Sequence, residues 1–254
     1  MQKVFHCPGV SGIIYLLSII SGYPVGAKLT SQLFTSGTLT REEVVRINAF
    51  TSTSGPLFII GTVGVGMFVN HTCGIIMLIA HIIGAFSNGL LYRNYHYKTK
   101  SAVVQTKQLN NADEIISKTM YDSIISILIV GGYIVIFNII IDMLFNLGVL
   151  QFFEQVLGGL LSVLNINESV SSGIVSGILE VPRGCKDLAS SGANIRLITT
   201  LACALISWGG FSIHLQALTF LNKCNISIPF YLLQKLTQSL LSGFICAILV
   251  LIFV

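Results

Sequence analysis

Long apolar segments that are interrupted near their centres are the most constraining feature of this sequence. Val10–Ile20 stops at a Ser-Gly-Tyr-Pro turn, and 197–221 would pass as one spanning helix except for Ser-Trp-Gly-Gly at 207–210. A helix that crosses a bilayer needs about 20 mostly apolar residues. Irregular backbone at membrane depth persists only where protein or a water-filled cavity surrounds it. The pattern therefore predicts an all-α membrane protein with broken or re-entrant helices.

The charge content favours the same fold class. Only 9% of residues are charged and 53% are hydrophobic, whereas soluble domains carry about 25% charged residues. A chain of this composition has too few charges to cover a surface that faces water. We expect a polytopic protein of the cell membrane that crosses the lipid bilayer several times.

The sequence shows no motif for catalysis, metal binding or cofactor binding. It contains no HExxH, no GxSxG and no P-loop, which are the patterns of zinc proteases, serine hydrolases and nucleotide-binding loops. Its six cysteines include no CxxC pair, so neither a disulfide framework nor a zinc site is predicted. We expect no enzyme activity, no catalytic residue, no metal and no cofactor.

A polar connector divides the chain and holds most basic residues of its first half. These residues are not clustered with exposed aromatic side chains, so the net charge of +4 gives no case for nucleic-acid binding. Basic residues beside a spanning segment usually mark the cytoplasmic side. The predicted organisation is a first repeat at 1–92, a cytoplasmic connector at 93–118 and a second repeat at 119–254.

The two halves share a motif that is followed by a break. Pro-x-Gly-x-Lys occurs at 24–28 and at 182–186, and each copy precedes a run of small residues, at 52–56 and at 207–212. The distance from the motif lysine to the break glycine is 27 positions in the first half and 24 in the second. The apolar block at 123–164 has no counterpart before the first motif. We expect either a missing N-terminal segment or a degenerate first repeat.

The paired breaks and turns form the predicted ligand site. Interrupted segments at corresponding positions of two repeats are the best sequence indication of a transporter's substrate site, because free backbone groups of half-helices bind ions and anionic groups there. The predicted ligand-binding residues are Lys28, Ser52, Ser54, Gly55, Glu180, Lys186, Ser207, Gly209, Gly210, Ser212 and His214. The predicted structural turns contain Gly22, Pro24, Gly26, Pro56, Pro182 and Gly184.

Other interpretations of these residues stay open. Glycine and serine also mediate close packing between membrane helices, and lysines beside apolar segments extend their ammonium groups to the membrane interface. His71 and His81 are isolated in or near apolar segments. A single histidine in such a place is more often a packed residue than a functional one.

Three blocks of the sequence resemble a known family. They are SGYPVGAK at 21–28, NAFTSTSGPLFIIG at 48–61 and ISWGGFSIH at 206–214. These blocks are similar to the nucleoside recognition (Gate) domain proteins, and among them to the sporulation membrane proteins of endospore-forming bacteria. The resemblance implies a multi-pass protein with two Gate repeats, similar to the hairpin-bearing halves of concentrative nucleoside transporters. It does not imply a nucleoside ligand, because fold-level analogy does not determine function.

The repeats and the resemblance together predict a permease-like or gating component for a small solute in sporulation. The alternative, from another class, is a non-transporting structural scaffold of the developing spore membrane, in which small residues serve packing alone. The expected partners are the lipid bilayer and a small-molecule solute, with no nucleic acid. A homo-oligomer and an association with other sporulation membrane proteins both stay open.

Overall fold

The computed structural model describes residues 1–96 and 112–254, with side chains from 120 onward in the second range. All regular structure in these ranges is helical. The helices are α1 (Gln2–Phe5), α2 (Val10–Ser21), α3 (Val25–Thr35), α4 (Arg41–Thr51), a π-helical segment (Leu57–Met67), α5 (His71–Tyr92), α6 (Ala112–Asn146), α7 (Val149–Val163), α8 (Ser171–Leu179), α9 (Val181–Ser190), α10 (Ile195–Trp208), α11 (Gly210–Leu221) and α12 (Ile228–Phe253). Short 3₁₀ turns lie at Glu168–Val170 and Asn222–Cys224.

Four segments of the described residues are long and apolar enough to cross a membrane. They are His71–Tyr92, Met120–Asn146, Ile195–Cys224 and Ile228–Phe253. The prediction of an all-α polytopic membrane protein is confirmed. Positions 97–111 of the predicted cytoplasmic connector lie outside the described residues, so its side of the membrane stays a prediction.

The order of elements is the same in the two halves. In the first, the pair α2 and α3 is followed by α4, the π-helical segment and the spanning helix α5; in the second, the pair α8 and α9 is followed by α10, α11 and the spanning helix α12. The halves pack reciprocally, since α3 contacts α11, α9 contacts the π-helical segment, and α5 contacts α12. The division into two repeats stays a prediction, and this recurrence supports it.

Local sequence explains where the half-helices begin. Thr40 forms a capping box with Glu43 at the start of α4, and Asn194 caps α10 by accepting a hydrogen bond from the Arg196 N–H. Pro182 lies in the first turn of α9, where a missing N–H costs nothing. Two of these signals lie in polar stretches at 36–43 and 190–196, and Pro182 follows the apolar run that ends at Glu180.

Small residues let the spanning helices approach closely. A Cβ placed on Gly84 of α5 would meet the side chain of Ser242 of α12, and a Cβ on Gly64 would lie 2.6 Å from the Gly74 Cα. Close backbone approach of this kind is typical of packed membrane helices. The main apolar core joins both halves, since it contains Ile59 and Met77 together with Ile206.

Candidate functional site

The first turn contacts the first break. Gly22 has φ +76 and ends α2, and a Cβ placed on it would lie 2.7 Å from the Gly55 nitrogen. Only glycine fits here, because a side chain would enter the backbone of the break and the positive φ would strain it. The C-terminus of α2 and the tip of the interrupted segment α4–π therefore meet.

The second turn and the second break meet in the same way. Gly209 and Gly210 have φ values of +97 and +69, and a Cβ on Gly210 would lie 3.1 Å from the Leu179 carbonyl oxygen. This carbonyl immediately precedes Glu180, the residue that separates α8 from α9. Gly209 and Gly210 also lie near the middle of the candidate span Ile195–Cys224, so this break interrupts a segment that is long enough to cross a membrane.

A buried histidine joins the two breaks. The Ser54 N–H donates to His81 Nε2 at 2.9 Å, and His81 Nδ1 lies 2.7 Å from Ser207 Oγ. Because Nε2 accepts, a neutral imidazole carries its proton on Nδ1 and donates it to Ser207. His81 is 0% exposed and lies at the middle of α5. This single side chain fixes the distance between the two interrupted segments.

Two polar side chains of α12, together with Tyr23, hold the first break. The Ser52 carbonyl oxygen accepts hydrogen bonds from Tyr23 Oη at 2.9 Å, from Lys235 Nζ at 3.0 Å and from Gln238 Nε2 at 3.2 Å. This carbonyl follows the last residue of α4, so it belongs to the negative end of that helix dipole. The donors therefore replace the helical hydrogen bonds that the break removes.

A cavity of about 340 Å³ lies where the turns and the first break converge. Val130 and Ile134 of α6 complete its wall, and its polar lining residues are Ser21, Tyr23, Ser54, Glu180 and Gln216. The Glu180 carboxylate accepts a hydrogen bond from the Arg183 N–H at 3.0 Å and is 1% exposed. The cavity thus combines one carboxylate, one phenol, one amide and two hydroxyls.

Two further cavities continue from this one along α6. One of about 360 Å³ shares Tyr23 and Val130 with the central cavity and includes Lys28. The next, of about 180 Å³, shares Lys28 and reaches Lys223. Lys28 Nζ lies between them and donates to the Asp122 carbonyl at 2.9 Å and to Ser126 Oγ at 2.8 Å. Neighbouring cavities thus share lining residues, and the last of them reaches Phe220 near the end of α11.

The structure places the predicted ligand-binding residues in three different surroundings. Residues that line the central cavity are Ser54, Gly55 and Glu180. Residues that are buried around the two breaks without lining it are Ser52, Ser207, Gly209, Gly210, Ser212 and His214. Lysines that lie away from it are Lys28, which contacts α6, and Lys186, which is exposed and whose ammonium has no hydrogen-bond or ion-pair partner among the described residues.

His214 is packed among aromatic rings. Its ring centroid lies 4.4 Å from that of Trp208 and 5.6 Å from that of Tyr231, and its Nδ1 lies 3.4 Å from the Tyr231 hydroxyl. The indole N–H of Trp208 donates to the Ile178 carbonyl at 3.3 Å. The His214 and Trp208 side chains therefore stabilise the second break through ring packing and a hydrogen bond to α8.

The glycines of the two Pro-x-Gly-x-Lys motifs lie inside helices. Gly26 is the second residue of α3 and packs on the Thr51 carbonyl, and Gly184 lies in α9 and packs on Gly177 of α8. Of the other predicted turn residues, Gly22 and Pro182 line the central cavity, while Pro24 and Pro56 directly precede helical segments. The two motif glycines thus allow close helix packing beside each turn.

Sequence reasoning gave no weight to several residues that the structure brings to the centre. His81, Lys235 and Gln238 are each fully buried, and each contacts a break from a distant spanning helix. The local signal at His81 is a polar side chain inside an apolar run, whereas Lys235 and Gln238 belong to the polar start of the last apolar block. Polar side chains in spanning segments are costly and therefore a functional indication. No cluster of three or more His, Cys, Asp or Glu that could hold a metal ion occurs in the described part of the chain.

The chain is similar in sequence to a membrane protein of sporulation. It is 27% identical over 258 aligned residues to the sporulation integral membrane protein YlbJ of Bacillus subtilis (strain 168). The alignment covers 94% of this chain and 63% of that relative. No protein-family model matches the chain, so the resemblance to Gate domains stays an interpretation of the sequence. No solved structure matches it either.

Proposed function

We propose that this protein acts in sporulation as a permease-like or gating component for a small polar solute in the cell membrane. The observation that carries the proposal is the convergence of both turns and the first break on one cavity. The relative's role in sporulation supports the biological setting. The proposal assigns no chemical reaction to the chain.

The ends of the half-helices make the cavity suited to a polar solute. The N-termini of α3, of the π-helical segment and of α9 begin beside it, and the C-termini of α2 and α8 end there. Free N–H groups favour anionic groups of a ligand and free carbonyls favour cationic ones. A volume of about 340 Å³ lies at the lower end of the range for small-molecule sites, about 300–1,000 Å³.

The chain of cavities supports movement as well as binding. Lys28 lines both the second and the third cavity, and hydrogen bonds from its ammonium tie α3 to α6. A displacement of α6 would connect these cavities into a path between the centre and the end of α11. Under this proposal α6 moves relative to the two broken segments, which stay in place.

Thiol labelling tests whether water reaches the cavity. All six native cysteines are buried, so their reaction with a charged methanethiosulfonate is slow. We expect Ser54→Cys, in the cavity wall, to react at least about tenfold faster than Ala202→Cys in the apolar core, since reactivity follows access. Equal rates for the two variants would show a packed, dry break and would contradict the proposal.

A cellular test asks whether spore formation requires the glycines of the two breaks. We expect Gly55→Leu combined with Gly210→Leu to abolish spore formation when it replaces the native gene. Gly131→Leu is the matched control, because nothing lies within 4 Å of a Cβ at that position of α6. Purified protein should also gain thermal stability from the solute that is moved, and a Lys28→Ala variant should lose that gain.

A structural scaffold is the second candidate function, and glycine packing favours it. Gly64 packs against Gly74 and Gly177 against Gly184, so many small residues serve helix contacts outside the cavity. A scaffold requires the fold but no open cavity. Normal spore formation by variants that fill the cavity, such as Ser54→Phe, together with slow labelling of Ser54→Cys, would favour this function over transport.

A further inference from the structure

A buried lysine of α12 contacts the C-terminal end of the half-helix α4, and no carboxylate lies beside it. Lys235 is 0% exposed and lies in the span Ile228–Phe253. Its Nζ contacts the Ser52 carbonyl at 3.0 Å, Gln238 Oε1 at 2.6 Å and Tyr23 Oη at 3.4 Å. None of the ion pairs among the described side chains includes it. An isolated charge inside a membrane protein is expensive and is typical of a functional position.

The hydrogen-bond pattern matches an ammonium. The Tyr23 hydroxyl donates its one proton to the Ser52 carbonyl, so its oxygen can only accept from Lys235. The Gln238 oxygen and the Ser52 carbonyl oxygen are acceptors as well. Lys235 therefore donates three hydrogen bonds, which matches the three N–H groups of –NH₃⁺ and exceeds the two of a neutral amine.

The oxygens around Lys235 Nζ form a site that suits a cation. The Ser52 carbonyl is at the negative end of α4, and the Gln238 amide and the Tyr23 phenol supply two more neutral oxygens. Carbonyls at the C-terminal ends of broken helices coordinate Na⁺ in secondary transporters. Neutral oxygens at a helix C-terminus stabilise any small cation by the same electrostatics.

We propose that the Lys235 ammonium is a built-in cation that occupies a monovalent metal site at the first break. The first break is thereby held in place without a bound metal ion. Removal of the lysine side chain leaves the oxygens of Ser52, Gln238 and Tyr23 free to bind Na⁺. This inference concerns cation binding alone, so it is independent of whether a solute crosses the membrane.

Thermal unfolding of the full chain in detergent micelles tests this inference. The midpoint is measured in NaCl, in KCl and in N-methyl-D-glucamine chloride at equal ionic strength. We expect the wild-type midpoint to be the same in all three salts. Lys235→Met should unfold at least about 5 °C lower in the glucamine salt, and NaCl should restore about 3 °C or more of that loss, because a ligand that binds only the folded state raises the midpoint.

Two variants separate this effect from a general loss of stability. Lys223→Met removes an exposed lysine and should leave the midpoint unchanged in every salt. Lys235→Gln keeps a polar side chain of similar size, and we expect the same preference for NaCl in this variant. Selective stabilisation of the wild type by NaCl would overturn the proposal. Equal midpoints of both Lys235 variants in all salts, or failure of both to fold in any salt, would overturn it as well.

Discussion

The two breaks perform the same structural task with different chemistry. The first, Ser52–Pro56, is held by side chains from elsewhere: Lys235 and Gln238 bind the Ser52 carbonyl, and His81 binds the Ser54 N–H. The second consists of Gly209 and Gly210, whose positive φ values turn the chain within two residues. One break depends on distant polar partners, and the other depends mainly on local backbone freedom.

This difference predicts which substitutions destabilise each break. A buried backbone group that loses its partner costs about 1–3 kcal/mol, so the first break is sensitive to substitutions far away in sequence. A non-glycine residue in the left-handed region costs about 1–2 kcal/mol, so the second break is sensitive at its own positions. The equal order of helices in the two halves therefore does not require equal means of stabilisation.

The largest effect is expected at the histidine that contacts both breaks. His81→Ala leaves the Ser54 N–H and the Ser207 hydroxyl without their partner and opens a cavity. We expect the free energy of unfolding in mixed micelles to fall by about 3–5 kcal/mol. The control is His71→Ala at the exposed start of α5, which should change it by less than about 0.5 kcal/mol. Equal effects of the two substitutions would show that His81 does not join the breaks.

An intermediate effect is expected from alanine at the glycine of each break. Gly210→Ala places a Cβ 3.1 Å from the Leu179 oxygen at φ +69, whereas Gly55→Ala places one 3.3 Å from the Ile20 oxygen at a residue without positive φ. We expect losses of about 2–3 kcal/mol for Gly210→Ala and about 1 kcal/mol for Gly55→Ala. Chemical unfolding of the two variants side by side measures the difference, and the reverse order would refute the assignment of backbone freedom to the second break.

The smallest change in the free energy of unfolding is expected from alanine at the two motif lysines, and it should differ between them. Lys28 donates two hydrogen bonds to α6, while Lys186 is exposed. We expect Lys28→Ala to lower the free energy of unfolding by about 1 kcal/mol and Lys186→Ala to change it by less than about 0.5 kcal/mol. Thermal midpoints of the purified variants measure both changes. A larger loss for Lys186→Ala would mean that its ammonium has a partner outside the described residues.

The sequence located the paired turns and breaks because each carries a local signal. Gly22, Pro182 and Gly210 change the backbone at their own positions, so their residue types are visible without knowledge of the fold. The same reasoning predicted that the turns and the breaks surround one site. The structure brings each turn into contact with its own break, and His81 contacts both breaks. Whether that site binds a ligand stays a prediction for the experiments above.

The polar partners of the breaks could not be found in the same way. His81 and Lys235 lie in apolar segments far from Ser54 and Ser52 in sequence, and a polar residue in a helix carries no information about which neighbour it faces. Lys28 and Lys186 show the opposite problem, since equal motif positions predicted equal roles. Only Lys28 lies beside α6, and the packing of a long helix is not encoded in either motif.

The sequence by itself determined that this is an all-α membrane protein, because its few charges cannot cover a soluble surface. It also determined where the helices are interrupted, because glycine and proline act on the backbone locally. Only the tertiary structure decided that His81 joins the two breaks and that Lys235 holds the first. Burial of a polar group in a membrane protein requires partners, and the packing of distant helices selects those partners.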